Sequence, residues 1–232
     1  TSGAIANSSG VANSGTFSIS GTTSGASIKT LSGAGGVTLG ANTLTITTGA
    51  DTYSGVMSGT GGLTISGGTQ VLSGANTYSG ATTINGGVLS IASDGALGTA
   101  PASATASHLI LNNGTLQATE TFTLNSNRGI ELGSSGGTIS VDTGKTLSYG
   151  GVIASSGAYS LTKAGAGSLT LSGANTYSGA TTISAGTLTV SGSLSDSTAV
   201  SVAAGATYNL GASDTIGSIA GAGTVSLNGY TL

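Results

Sequence analysis

Glu120 and Glu131, eleven residues apart, are the two side chains that come nearest to a catalytic pair. Sites that cleave polysaccharides set one carboxyl to donate a proton and another to act as base or nucleophile, often with a cation close by. The remaining acids, Asp51, Asp94, Asp142, Asp196 and Asp214, are scattered. Asp94 precedes Gly95 and Asp214 follows Ser213, the surroundings of turn formers. The expectation is therefore solvated turn and edge carboxylates with no catalytic pair. His108 is the sole histidine, which gives no support to a two-histidine metal site or a dyad, and a role at a strand entry is expected. Gly133-Ser134-Ser135-Gly136-Gly137 fits the nucleophile-elbow pattern, but that motif needs a strand-to-helix turn and a histidine partner, and a chain this rich in Gly and Ser produces such a match by chance. Gly33-Ala34-Gly35-Gly36 and Gly221-Ala222-Gly223 lack the Lys-Ser/Thr and the helix that cradle phosphate. Gly-Gly-x-Gly-x-Asp calcium repeats are absent, and so is cysteine, which removes thiol chemistry and cysteine-ligated zinc. No catalytic, cofactor-binding or metal-ligating residue is assigned.

Binding surfaces have more support. Tyr78 and Tyr177 recur in identical surroundings after Asn-Thr and are the candidate binding-surface residues: exposed, they would stack on sugars, and packed over a turn, they would fill a corner. Thr-x-Thr pairs at Thr43 to Thr47, Thr121 to Thr123 and Thr187 to Thr189 resemble the flat threonine ladders of ice-binding surfaces, but their spacing is irregular, and outward strand positions are expected instead. Asn76 and Asn175, at matching positions, suit a structural amide ladder.

These residues must be positioned by an unusual chain. It has 232 residues, of which 43 are Gly, with 5% charged, one Pro, no Trp, two Phe and a net charge of -3. So little charge is unlike a disordered, charge-solvated tail, and so few bulky rings imply a narrow core of Leu, Ile, Val and Ala. Four basic residues, Lys29, Arg128, Lys145 and Lys163, cannot neutralise a run of phosphates, so no nucleic-acid partner is expected. Nothing approaches the roughly 20 apolar residues of a membrane helix. With so few titratable groups, stability is expected to vary little with pH.

Self-similarity is the strongest signal. The thirteen residues Leu72 to Ile84, LSGANTYSGATTI, return unchanged at Leu171 to Ile183, 99 residues on, and a decayed copy places Tyr53 25 residues before Tyr78. A structural period of about 20 to 25 residues fits both and marks a solenoid. Between the copies run short polar-apolar alternations such as Thr43-Leu44-Thr45-Ile46, Thr138-Ile139-Ser140-Val141 and Ser168-Leu169-Thr170-Leu171, the pattern of strands with one buried face. No stretch keeps a helical period, and Ala100 to Ser107, around Pro101, is expected to be a loop. A hairpin sandwich is the competing architecture, but very short strands and irregular turns favour a parallel β-solenoid of nine to eleven coils, a rod about 50 Å long at 4.8 Å per coil.

The stretches Gly61 to Ile91 and Gly165 to Val190, with SGANTYSG-x-TTI at their centres, resemble the passenger-associated transport repeat of autotransporter passengers. The resemblance implies a right-handed parallel β-helix, secretion through an outer-membrane barrel and display at a bacterial surface. It points to a non-catalytic stalk or adhesin segment occupying residues 1–232, with host or matrix protein, glycan or like molecules as partners. Membrane contact would come only through a translocator barrel, which this sequence lacks, so the chain is expected to be a piece of a longer passenger. A self-assembling subunit of an extracellular filament, sheath or matrix, joined end to end, is the alternative, and a polysaccharide-active enzyme the third.

Overall fold

The computed structural model describes residues 10–232, so the first nine residues of the single-segment reading lie outside the described residues. Residues 10–232 form strands of two to seven residues and one 3-10 turn, Asp94–Leu97. Neighbouring strands pair in parallel with a strand one coil further along, which makes a β-solenoid. The first face carries eleven strands, from Val11–Ala12 to Ser218–Gly221, in two sheets linked by the bridge Gly33 to Tyr53. The third carries seven, from Ala26–Ile28 to Ile153–Ser155. The second is split: Thr16–Ser18, Gly36–Gly40 and Met57–Gly59 form one sheet, and six strands from Phe122–Leu124 to Thr224–Ser226 form another.

Alternation explains the strands. On the third face Ile28, Ile46, Ile65, Ile84, Leu111 and Leu132 stack in register, all buried, while Ser27, Thr45, Thr64 and Thr83 stack on the outside. Each buried Leu or Ile contributes roughly 1.5–3 kcal/mol, and like residues repeat because each coil sees the same environment as the last. The interior also holds Tyr53, Tyr78, Tyr149, Tyr177 and Tyr208, so the core is less purely aliphatic than its composition implies.

Coil length varies more than the repeat suggests. The pairs Gln70 to Leu89 and Leu89 to Leu116 enclose coils of 19 and 27 residues. The longer coil holds the 3-10 turn, an irregular stretch at 99–104, and strand Thr105–Leu111, which takes up the last three residues of the expected loop. This variation places the two long repeats on different faces. In the first copy Leu72 ends a first-face strand, Thr77 and Tyr78 bond to Met57 of the second face, and Thr82–Ile84 lies on the third. In the second copy Ser168–Leu171 is on the second face, Thr176 and Tyr177 bond to Ile153 of the third, and Thr181–Ile183 is on the first. The 99-residue offset is therefore four coils and one face, and the copies do not stack on each other.

Irregular spacing in sequence is absorbed in the turns. On the second face Thr146, Ser168, Thr187, Thr207 and Thr224 form one column, and Ser148, Thr170, Thr189, Asn209 and Ser226 form another beside it. Thr187 and Thr189 are thus outward strand positions, as expected, and better ordered than the spacing in sequence implies, while Thr43, Thr47 and Thr121 flank their strands.

Candidate functional site

The repeat is built around buried groups. Asn76 sits where the second face has no strand: its Oδ1 accepts from Met57 N at 2.8 Å in the coil before, and its Nδ2 donates to Ala96 O at 2.7 Å in the coil after. Asn175 does the same on the third face, accepting from Ile153 N at 3.0 Å and donating to Ser193 O at 2.9 Å and Gly173 O at 3.0 Å. Each asparagine replaces a missing strand pairing by stapling three coils. No ladder runs between the two.

Tyr78 and Tyr177 are both 0% exposed, so of the two readings, stacking on sugars and packing over a turn, the structure has the packed one, and they form no binding surface. Their hydroxyls bond Thr82 Oγ1 at 2.7 Å and Thr181 Oγ1 at 2.6 Å, four residues on. Thr82 and Thr181 take inward positions in their strands and need a partner, and the tyrosine supplies it while its ring fills the corner. The glycine two residues before the asparagine is equally constrained, because a Cβ on Gly74 or Gly173 would overlap the carbonyl oxygen of Gly55 or Gly151 in the coil beneath. The SGANTYSGAT segment is thus a packing device, and its tyrosines are unavailable to a ligand.

The acids do not form a group. Glu120 is exposed at the turn after strand Gly114–Ala118 and pairs with Lys145 at 2.5 Å, whereas Glu131 lies on strand Arg128–Leu132 of the third face. Asp142 accepts from Gln117, Asp94 is bound to Arg128, Asp214 accepts from Leu194 N, and Asp196 is exposed. Among the described residues no group of three or more His, Cys, Asp or Glu could hold a metal ion. Ser134 lies in the turn between strands Arg128–Leu132 and Gly137–Val141, so the elbow geometry is missing. His108 is buried on strand Thr105–Leu111 with Nε2 3.3 Å from Ser79 O, and burial pushes its pKa down.

One cleft carries a charged group. Strand Thr105–Leu111 pairs Thr105 with Arg128 and then Leu109 with Ile130, so it holds two residues more than its partner over this span. This bulge turns Ser107 to φ 56, an uncommon conformation for a non-glycine residue, and the Ser107 hydroxyl donates to Glu131 Oε2. Beside it opens a cleft of about 290 Å³ bordered by Glu131, Val152, Ala154 and Ser155. The depressions at Asn113 and Ser135 and at Ser24 and Thr43 have no ionisable side chain in their lining.

Two basic residues are buried, which composition concealed. Arg128 is clamped on the 3-10 turn, and Lys163 occupies an inward position between Ile139 and Ile183. The Lys163 Nζ donates to Ala164 O and Gly165 O at 2.8 Å and to Ala185 O at 3.1 Å, and burial lowers its pKa to about 8. The expectation of pH-insensitive stability is revised accordingly. Between pH 8 and 10.5 the unfolded chain binds the Lys163 proton more tightly than the folded chain, so stability rises with pH across that window. Burial raises Tyr53 and Tyr78 to about 12, so their contribution is intact below pH 10 and is lost as pH climbs towards 12. His108 acts on the acid side, with stability falling once pH drops below 6.5. The melting temperature should therefore peak near pH 9–10. Lys163→Met should remove the rise from pH 8 and stabilise the chain at pH 7 by at most about 3 kcal/mol, a gain that loss of the carbonyl bonds reduces. A wild-type profile flat from pH 7 to 10 would refute the assignment.

The fold and its internal staples define a parallel β-solenoid with an embedded repeat. Two regions, residues 67–91 and 161–190, match the passenger-associated-transport-repeat family. No curated protein and no solved structure matches the chain.

Proposed function

We propose that the chain is a surface-displayed, non-catalytic stalk or adhesin segment of an autotransporter passenger, secreted and held outside the cell, where it mediates attachment or aggregation. The observation that carries this reading is the pair of regions that match the passenger-associated-transport-repeat family, 67–91 and 161–190, whose Asn and Tyr sit inside the solenoid. Each coil bonds to the one before it, so folding can proceed coil by coil as chain emerges, without disulfides or an energy source. The dispersed carboxylates give no support to the polysaccharide-active alternative.

The test is delivery. With a leader in front and a translocator barrel behind, the chain should reach the surface of a Gram-negative host, and cells displaying it should attach to matrix-coated plates or clump. Removing residues 165–190 should lower surface protein several-fold more than removing an equal length elsewhere. Equal delivery from both deletions would count against a transport role for the repeat, and display without attachment or clumping would leave a spacer. The second reading is a self-assembling subunit of an extracellular filament, sheath or matrix, joined end to end through strand edges. Concentration-dependent fibres in electron micrographs would support it, and discrete rods would support the stalk.

A further inference from the structure

The bulge at Thr105–Leu111 leaves its cleft with a definite chemical character. Ala106, Val152 and Ala154 line it with apolar groups, and Val152 is 42% exposed. Its polar groups are mostly committed as donors already: the Ser107 hydroxyl gives its proton to Glu131 Oε2, and the Ser155 hydroxyl gives its proton to Gly157 O at 2.5 Å. What remains for a ligand is mainly a set of acceptors, the lone pairs of these two oxygens and Glu131 Oε1, with the Ser156 hydroxyl at the rim able to donate or accept.

Among the described residues no lysine or arginine is paired with Glu131. Arg128 is bound to Asp94, Lys145 to Glu120, and Lys163 to three turn carbonyls. Lys29 follows strand Ala26–Ile28, at the far end of the same sheet. A half-buried carboxylate among acceptors, beside an apolar wall, suits a donor-rich cation on an aliphatic stem. A neutral sugar would leave the charge uncompensated, and the lining has no aromatic ring on which it could stack.

We infer that this cleft takes the side chain of a lysine or arginine presented by a partner protein, with the cationic head on Glu131 and the stem along Val152 and Ala154. The inference goes beyond the stalk reading and does not depend on it, since it concerns the purified chain alone.

The ¹⁵N-labelled 232-residue chain should be titrated with Nα-acetyl-lysine N-methylamide and, in parallel, with glucose, galactose and N-acetylglucosamine. The lysine probe should move the amide signals of residues 106, 107, 129–131 and 152–156, saturating in the millimolar range expected of a small ligand. Glu131→Gln should weaken binding about tenfold or more, and salt should weaken it in the wild type. Ala154→Leu, at the register partner of Glu131, fills the cleft while keeping the carboxylate charge and should also abolish the shifts, so it decides the matter if Glu131→Gln does not fold. Shifts that lie elsewhere, are absent, or persist in both variants overturn the inference. Shifts at these residues with a sugar and not with lysine overturn it in favour of a glycan subsite.

Discussion

Arg128→Met should lower stability by roughly 3 kcal/mol, the largest loss expected from any single charged residue here, because it removes the buried partner of an ion pair whose other member, Asp94, is only partly exposed. Arg128 is 1% exposed, yet each of its three nitrogens is engaged: Nε with Asp94 Oδ1 at 2.9 Å, Nη2 with Asp94 Oδ2 at 3.2 Å, Nη1 with Leu97 O at 3.0 Å, and Nη2 again with Gly98 O. These acceptors all belong to the 3-10 turn Asp94–Leu97 and the residue after it, which stand where the second face lacks a strand. The guanidinium therefore ties the longest coil to the rest of the stack. Asp94 Oδ1 also accepts from Asn125 N at 3.0 Å, so the carboxylate would keep one donor and lose its counter-charge. Urea denaturation and melting should both report the loss. Arg128→Lys should recover only part of it, since one ammonium cannot reproduce the planar fork. The double variant Arg128→Met, Asp94→Leu should be less damaged than the two single losses predict. A single variant within 1 kcal/mol of wild type would mean that the turn is held by its own backbone and Arg128 is incidental.

The positions of these buried ions were legible in one respect and hidden in another. Period-2 phase puts Arg128 on the same side as Ile130 and Leu132, Lys163 with Leu161, and Gln70 with Leu72, and all three polar residues are buried. The phase was a usable signal that these side chains point inward. Their partners were not legible, because Asp94 lies 34 residues from Arg128, and Gln70 reaches Leu31 O, 39 residues away. The strands themselves followed directly from alternation, since Leu and Ile at every second position can be buried only on one face. The repeat told less than its length suggested. A constant period would return the second copy to the same face, whereas coils of 19 to 27 residues carry it one face further round. Tyrosine was ambiguous for a physical reason: a phenol is both a large apolar body and a hydrogen-bonding tip, and only the inward Thr82 and Thr181 decide between corner and surface. The Glu131 cleft gave no local sign, since a two-residue bulge changes no residue type and appears only once the neighbouring strands are paired.

The second large effect belongs to the asparagine of the repeat. Asn76→Ala leaves Met57 N–H and Ala96 C=O without their partner in the interior, and Asn175→Ala does the same to Ile153 N–H. Each orphaned group costs about 1–3 kcal/mol, so either substitution should destabilise by about 2–4 kcal/mol although neither residue bears charge nor touches a ligand. Hydrogen exchange separates this from a general loss of packing: the Met57 amide should exchange at least tenfold faster in Asn76→Ala, and the Ile153 amide in Asn175→Ala, ahead of the distant coils. Asn175→Asp keeps an acceptor for Ile153 N–H but loses the donor to Ser193 O and Gly173 O, so stability should fall while Ile153 protection largely survives. Asp214 supplies the natural comparison, because its Oδ2 accepts from Leu194 N at 2.9 Å and needs only an acceptor. Asp214→Asn should therefore be tolerated where Asn175→Asp is not. If the two substitutions are equally tolerated, the donor half of the staple is unimportant, and the asparagine of the repeat is there for its carbonyl alone.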